Sequence, residues 1–574
     1  MKGLVHCGRA LGVSSALAQS ISLPYHEAMA VDLFEKAKAR VASERGGLSI
    51  DGAAAVRIAL AFPNEYRVGM ASLGYQLVYR MLNDMPNASC ERVFLPDAID
   101  MDEHARTHTE IFTLESLRPL SEFHALAFSV SFELDYINVV RMLDLANLPA
   151  LSRDRDDHDP IVIAGGPCAT FNPEPLADIV DAFVIGDAEE VLPELVNAME
   201  ASLGKPRKAR LEALASVASV YVPSLYDVEY RVRRAVARDL ACYPASSIIR
   251  TDEAEFGDIG LVEVTRGCPR KCRFCLAGHI TRPPRARGVA LDDLRSGSRS
   301  GLVGAAVFDH PEALDICRSI VDAGGEFTVS SVRLETVSPE LARLMIEGGQ
   351  RTLTIAPEAG SERLRRVINK CCAEEQILEA VSAAREAGFA RVKLYFMIGL
   401  PTETDGDVTA IIGLTGRLSR EFPAIQFQVS ASSFVPKPWT PFQWHAMERE
   451  NVLKKRYARL RSGISSIKNA RFTGESPRLA LVQGCLARGD RRLGAVLVAA
   501  ARNGGDYGAA LRATGADSAH YIHRERSEDE FLPWDHLDML IDKGYLLAEY
   551  KKALREDTTA PCSLGACRLC GACE

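Results

Sequence analysis

The stretch "TRGCPRKCRFC", Thr265–Cys275, places three cysteines among four cations within eleven positions, in the spacing C-x3-C-x2-C. Leading into it, and sharing Thr265, is "IGLVEVT" (259–265), an apolar run of strand length. Further runs follow at "GLVGAAVF" (301–308), "FTVSSVR" (327–333), "RTLTIAPE" (351–358), "RVKLYFMIGLP" (391–401) and "AIQFQVSASSFVP" (424–436). Between them, segments such as "HPEALDICRSIVDAGG" (310–325) and "SERLRRVINK" (361–370) read as helices. Six strand–helix units predict a parallel αβ barrel or a large part of one. In such a barrel the chemistry sits at the C-terminal strand ends, where the three cysteines fall.

Upstream, a second alternation starts at "VRIALAFP" (56–63) and continues through "ALAFSVS" (125–131), "PIVIAGGP" (160–167) and "DAFVIGD" (181–187). Most of these runs precede helical stretches such as "DYINVVRMLDLAN" (135–147) or "AEEVLPELVNAM" (188–199). Continuous apolar strands alternating with helices predict a parallel sheet covered on both faces. Its ligand crevice would lie in the loops after the strands: "NEYRVGMASLG", "SFELD", "GGPCATFNPE" and "GDAEE". The expected organisation is therefore an extension at 1–55, expected to be helical, a Rossmann-like domain at 56–205, a connector at 206–255, a barrel at 256–440 and a mainly helical C-terminal region at 441–574 with a Cys-rich tail. At 574 residues the chain is too long for a single core.

A net charge of −8 excludes a global basic field for nucleic acid. No run approaches the roughly 20 apolar residues needed to span a bilayer. The first twenty residues resemble a signal peptide, but His6 and Arg9 interrupt the apolar run, so a cytoplasmic location without membrane association is expected. In that compartment clustered cysteines mean metal rather than disulfide. Of fifteen cysteines, seven fall in two clusters: Cys268, Cys272 and Cys275, and then Cys562, Cys567, Cys570 and Cys573. Three thiolates cannot close a tetrahedral zinc site. On a cubane they would leave one iron open to another ligand. The tail, C-x4-C-x2-C-x2-C, can close either zinc or a second [4Fe-4S] cluster, and its C-x2-C-x2-C portion is ferredoxin-like.

C-x3-C-x2-C with Phe274 before the last cysteine, after the first strand of a barrel, resembles the radical S-adenosylmethionine (SAM) enzymes. "APEAGSERLR" (356–365) and "YFMIGLPTET" (395–404) resemble that family's fourth- and fifth-strand segments, while "FDHPE" (308–312) stands where its Gly-Gly-Glu element falls. The resemblance implies that Cys268, Cys272 and Cys275 hold a [4Fe-4S] cluster whose open iron chelates SAM. It also places Glu358 and Phe274 at the SAM site and calls for a reductant such as flavodoxin or ferredoxin. With a Rossmann-like domain ahead of the barrel, the chain resembles the cobalamin-binding subclass. Ser129, Ser131, Gly165, Gly166 and Pro167 are then the candidates for contacting the corrin. The Asp-x-His-x-x-Gly motif that ligates cobalt in many cobalamin domains is absent after the first strand, and Asp102-Glu103-His104 is not that motif.

The function expected is a cobalamin-dependent radical SAM methyltransferase acting on an unactivated carbon. A cobalamin-dependent cyclase or rearranging enzyme is the first alternative. An RNA-associated protein is the second, in which Lys454, Lys455, Arg456, Arg459, Arg461, Arg488, Arg491 and Arg492 would meet phosphate, although such helical charge spacing usually marks a solvated face. His310 and His445 are candidate acids or bases, and each is more often a surface or core residue.

Overall fold

The computed structural model describes residues 32–226, 230–288, 299–563 and 567–573. Much of the N-terminal extension, residues 1–31, lies outside the described residues. A helix follows at Leu33–Ser43, begun by Asp32, whose carboxylate accepts from the amides of Phe34 and Glu35.

Six strands form the first sheet: β1 (Val56–Phe62), β2 (Ala88–Phe94), β3 (Ala125–Ser129), β4 (Ile161–Gly165), β5 (Ala182–Val184) and β6 (Val220–Tyr221). Their order is β2-β1-β3-β4-β5-β6, parallel except for β6. The chain turns outward from β1 to β2 and returns beside β1 as β3, so the topological switch lies at the β1/β3 boundary, where ligands bind such sheets. Alternate residues divide between two cores. Ile58, Leu60, Ile163 and Val184 face one side, and Ala59, Ala61, Phe128 and Phe183 the other. Helices α1 (Leu73–Asn83) and α3 (Leu192–Ser202) cover the first side, and α2 (Tyr136–Leu145) lies on the second. β6 falls within the expected connector, so the sheet claims residues beyond 205.

Seven parallel strands form the second unit: β7 (Gly260–Glu263), β8 (Arg299–Val303), β9 (Glu326–Val329), β10 (Thr352–Glu358), β11 (Arg391–Ile398), β12 (Gln426–Ser433) and β13 (Ala470–Gly474). They pair in sequence order as sheets of three and four strands, and Val332 N–H donates to the Thr354 carbonyl across the seam at 3.0 Å. The result is an open, partial barrel. Its last strand lies beyond the expected boundary at 440, reached through helix α4 (Glu450–Ser465). In β11, Val392, Leu394, Phe396 and Ile398 lie under the helices, leaving Lys393 and Tyr395 on the inner face. In β12 the same alternation leaves Gln428 and Ser430 inward. This polar lumen is the reason the β11 and β12 runs alternate rather than being apolar throughout.

The C-terminal region carries α5 (Pro477–Arg488), α6 (Leu493–Arg502) and α7 (Lys543–Leu554). Leu493, Val496 and Leu497 of α6 share one core with α2 and the second face of the first sheet, together with Trp444 and Trp534. Asn172 donates to the carbonyls of Ala487 and Gly489 at 3.0 and 2.9 Å, and Arg491 pairs with Glu174 at 3.0 Å. The C-terminal region is thus the missing cover of the N-terminal sheet.

Candidate active site

The loop after β7 carries Cys268, Cys272 and Cys275 and closes with a short helical turn, Ala277–Ile280. Burial pushes the Cys272 thiol up to about 12, and the neighbouring Cys275 and Cys268 add to this against the pull of Lys370. Burial also raises Cys268 and Cys275. Three half-buried thiols, close enough that Cys268 raises both Cys272 and Cys275, suit a group that binds thiolate and relieves the cost of ionising them, so the donor set fits an iron–sulfur cluster. Among the described residues no three His, Cys, Asp or Glu side chains converge as ligands of one ion would. On a four-iron cluster each thiolate takes its own iron, so such convergence is not required.

Glu358 ends β10 in the left-handed region, at φ 67°, just after a shift of register between Ile355 and Glu358. The bulge re-aims its carboxylate toward the cysteines, where Lys370 meets it at 2.9 Å. Burial works against the Lys370 charge, but Glu358 and the Cys272 thiolate outweigh it and raise that ammonium. Within "FDHPE", Asp309 accepts from Arg270 and Arg333, each at 3.2 Å. Both arginines and Asp309 are close enough to act on Cys268. This places a carboxylate beside the cysteine loop at the position of the missing Gly-Gly-Glu element. Phe274 packs on the first hydrophobic core. His310 sets Nε2 at 2.9 Å from the Arg287 carbonyl, and His445 sets Nδ1 at 3.1 Å from the Tyr550 hydroxyl, so both are engaged away from the cysteines.

The five corrin candidates come together. Ser129, Ser131, Gly165, Gly166 and Pro167 line one cavity of about 420 Å³ at the C-terminal edge of the first sheet. It runs down the sheet face between α1 and α3, past Leu77 and Leu195, and opens toward the barrel at Arg266, Thr281 and Val303. Gly166 has φ 97°, and a Cβ there would sit 2.7 Å from the Val130 carbonyl oxygen; at Gly165 the nearest atom to a Cβ is 3.9 Å away. None of the described residues that line the cavity is a histidine. The sequence reading missed its deep walls because Leu73-Leu77 and Leu192-Leu195-Met199 have the spacing of an ordinary core stripe. Only the unfilled space between them distinguishes them.

The cations around the cysteines divide by task. Arg266 reaches Asp187 (3.3 Å), Glu189 (2.6 Å) and Glu263 (2.8 Å), joining the first sheet to the barrel at the cavity mouth. Arg270 holds Asp309, while Lys271 and Arg273 face the C-terminal segment. Farther off, most of the cations considered for phosphate are committed. Arg456 is buried on Glu403 at 2.7 Å, Arg459 meets Asp405 at 2.9 Å, Lys454 meets Glu450 at 2.7 Å and Arg492 meets Asp490 at 2.6 Å. Arg488 is fully buried and donates to the His445 carbonyl at 2.7 Å.

A barrel opened by a three-cysteine loop, with a sheet domain docked at its mouth, defines a class that comparison identifies. Residues 262–414 match the radical SAM superfamily, and residues 74–223 match the N-terminal region of radical SAM proteins. The uncharacterized protein MJ0966 of Methanocaldococcus jannaschii is 30% identical over 454 residues, covering 76% of this chain and 89% of that protein. The chain belongs to the radical SAM family and is an enzyme of that class, which implies a [4Fe-4S] cluster and SAM. A protein of Pyrococcus horikoshii named uncharacterized methyltransferase PH0819 is 26% identical over 336 residues, covering 55% of this chain and 69% of that protein. Among solved structures, the cobalamin-dependent SAM radical enzyme OxsB with aqua-cobalamin bound aligns at 16% identity and a TM-score of 0.47. The match covers 65% of this chain and about half, 53%, of that one. Among the described residues no helix is long and apolar enough to cross a membrane.

Proposed function

We propose that this protein is a cobalamin-dependent radical SAM methyltransferase acting on an unactivated carbon. The observation that carries the reading is the cavity. It gathers Ser129, Ser131, Gly165, Gly166 and Pro167 at the sheet edge and opens beside Arg266 and Thr281 of the cysteine-bearing segment. Its depth between α1 and α3 suits a ligand with a long tail below a flat ring. That no histidine is among the described residues lining it suits cobalamin held with its base off and without a histidine on cobalt. The methyltransferase name of the Pyrococcus relative supports the transfer half of the reading.

When bound, the cluster with SAM supplies a 5′-deoxyadenosyl radical, and cobalamin supplies a carrier for the methyl group. The residues of this chain do the positioning. Cys268, Cys272 and Cys275 hold the cluster. Glu358, fixed by Lys370, offers a carboxylate to the ribose or amino groups of SAM, and Asp309, held by Arg270 and Arg333, offers a second. Gly165 and Gly166 let backbone approach the ring closely. The polar inner faces of β11 and β12 leave a lumen for a substrate with hydrogen-bonding groups. The electron comes from a reductant of the flavodoxin or ferredoxin class.

Anaerobically reconstituted protein given a low-potential reductant should cleave SAM to 5′-deoxyadenosine and take up cobalamin, seen in its electronic spectrum. Replacing Cys268, Cys272 and Cys275 together with Ala should abolish cleavage. Equal cleavage in the triple variant would overturn the cluster assignment. Correctly folded protein that takes up no cobalamin would remove methyl transfer. Cobalamin uptake with an unmethylated, cyclised or rearranged product would favour the cyclase reading.

A further inference from the structure

The outer side of the cysteine loop is built around the C-terminal tail. Arg273, fully buried, donates through Nε and Nη2 to Glu549 of α7 at 3.2 and 3.1 Å, and Nη2 also reaches the Asp557 carbonyl at 2.7 Å. Asn369 bridges the carbonyls of Lys271 and Thr559, both at 3.0 Å, and takes the Thr559 amide at 2.8 Å. The Cys562 amide then donates to the Pro269 carbonyl at 2.8 Å, one residue from Cys268. The four tail cysteines therefore start in direct backbone contact with the loop that carries the barrel cysteines.

Two barrel cations turn their N–H groups to tail sulfurs. Arg282 Nη1 lies 3.2 Å from Cys570 Sγ, and Lys271 Nζ lies 4.0 Å from Cys567 Sγ. The other arms of Arg282 hold the carbonyls of Gly278 (2.5 Å) and Arg270 (3.0 Å), so one guanidinium grips the barrel loop and the tail together. Cys570 is only 2% exposed, and its carbonyl accepts the Asp542 amide at the start of α7. Cationic N–H donors aimed at cysteine sulfur stabilise thiolate and are the usual outer partners of a thiolate-bound metal centre.

We propose that Cys562, Cys567, Cys570 and Cys573 hold a second [4Fe-4S] cluster and that this cluster is the port through which electrons reach the barrel cluster. The proposal rests on the barrel assignment above. One electron passes from a flavodoxin- or ferredoxin-class donor to the tail cluster, taking it from the 2+ to the 1+ state. The same electron then passes to the barrel cluster, which goes from 2+ to 1+ as the tail cluster returns to 2+. No bond forms or breaks and no proton moves. Zinc on the same four thiolates could close the tail but could not carry an electron.

The test uses the full chain, reconstituted anaerobically, beside a variant with all four tail cysteines changed to Ser and the triple barrel variant. The parent should hold about eight irons, and the tail variant about four. In the tail variant dithionite, which needs no docking port, should still reduce the barrel cluster, seen by electron paramagnetic resonance, and still drive SAM cleavage. Reduction of that cluster by reduced flavodoxin should slow severalfold. The triple barrel variant should keep the tail signal while losing cleavage, which separates failure of the port from failure of the barrel assignment. Zinc in place of the second four irons would overturn the proposal. So would a tail variant that flavodoxin reduces at the parent rate.

Discussion

The sharpest perturbation available is Arg273→Leu. Arg273 is fully buried, and its partner Glu549 has a side chain only 2% exposed. The guanidinium also serves the carbonyls of Arg366, Val367 and Asp557 at 3.2, 2.9 and 2.7 Å. Removing one partner of a buried ion pair costs about 3–5 kcal/mol. Glu549 keeps Lys552 at 2.8 Å and the Thr559 hydroxyl at 2.7 Å, so the lower end, about 3 kcal/mol, is the expected value. In a chain of several domains that loss appears locally rather than as a global unfolding energy. The contacts at stake join the cysteine loop to α7 and the segment after it. The free energy corresponds to a roughly 10²-fold rise in opening of that segment. Native-state hydrogen exchange of residues 543–563 should lose protection by that factor, while β1–β5 keep theirs. Glu549→Gln, which retains hydrogen-bonding capacity, should lose less. A change below about tenfold in Arg273→Leu would refute the reasoning, as would protection lost evenly across the chain.

Gly165→Leu should fill the cavity without straining the backbone, because a Cβ there meets nothing closer than 3.9 Å, and cobalamin uptake should fall while the far-ultraviolet spectrum is kept. Gly166→Leu should instead lower stability, since its φ of 97° and the 2.7 Å approach to Val130 exclude a side chain. Glu358→Gln should weaken SAM binding to the reconstituted protein by roughly tenfold, about 1.5 kcal/mol for a charge-assisted hydrogen bond, measured by equilibrium dialysis; an unchanged Kd would remove Glu358 from the SAM site. Burial raises the Asp135 carboxyl from 3.8 to about 7, so the folded chain holds a proton that the unfolded chain releases. Stability contributed there is present at low pH and lost as pH rises toward about 7, and Asp135→Asn should flatten that slope in thermal melts at pH values spanning the window.

The barrel and the sheet were legible because their strands carry apolar runs that helices separate, and the cysteine loop because its spacing is tied to chemistry. The rim of the cavity was legible because Gly165-Gly166-Pro167 sits at a strand end, where a glycine pair cannot serve a core. Three features were not. β13 follows α4, whose Lys454–Arg461 charges read as a free basic face, and nothing local says that Glu403 and Asp405 lie opposite. Asp309 was visible only as a departure from a pattern, and its place beside Cys268 depends on arginines that fold in from two other segments. The destination of Lys271 and Arg273 required the position of the tail, a contact between positions nearly three hundred residues apart.

The shared core of α6 and the first sheet has a consequence for biosynthesis. Phe183 and Leu493 belong to one cluster, and 310 residues separate them. At about 5–20 residues per second the ribosome takes roughly 15–60 s to cover that interval. For that time the sheet has strands, α2 and one finished face, while the remainder of its second face waits bare for a helix that has not been made. A nascent chain with exposed apolar sheet surface is the species that chaperones hold and that aggregates when they do not. Late closure by α6 therefore makes the N-terminal domain dependent on the last quarter of its own translation, and heterologous yield should respond to slowed growth and chaperone supply more than to changes in the domain itself.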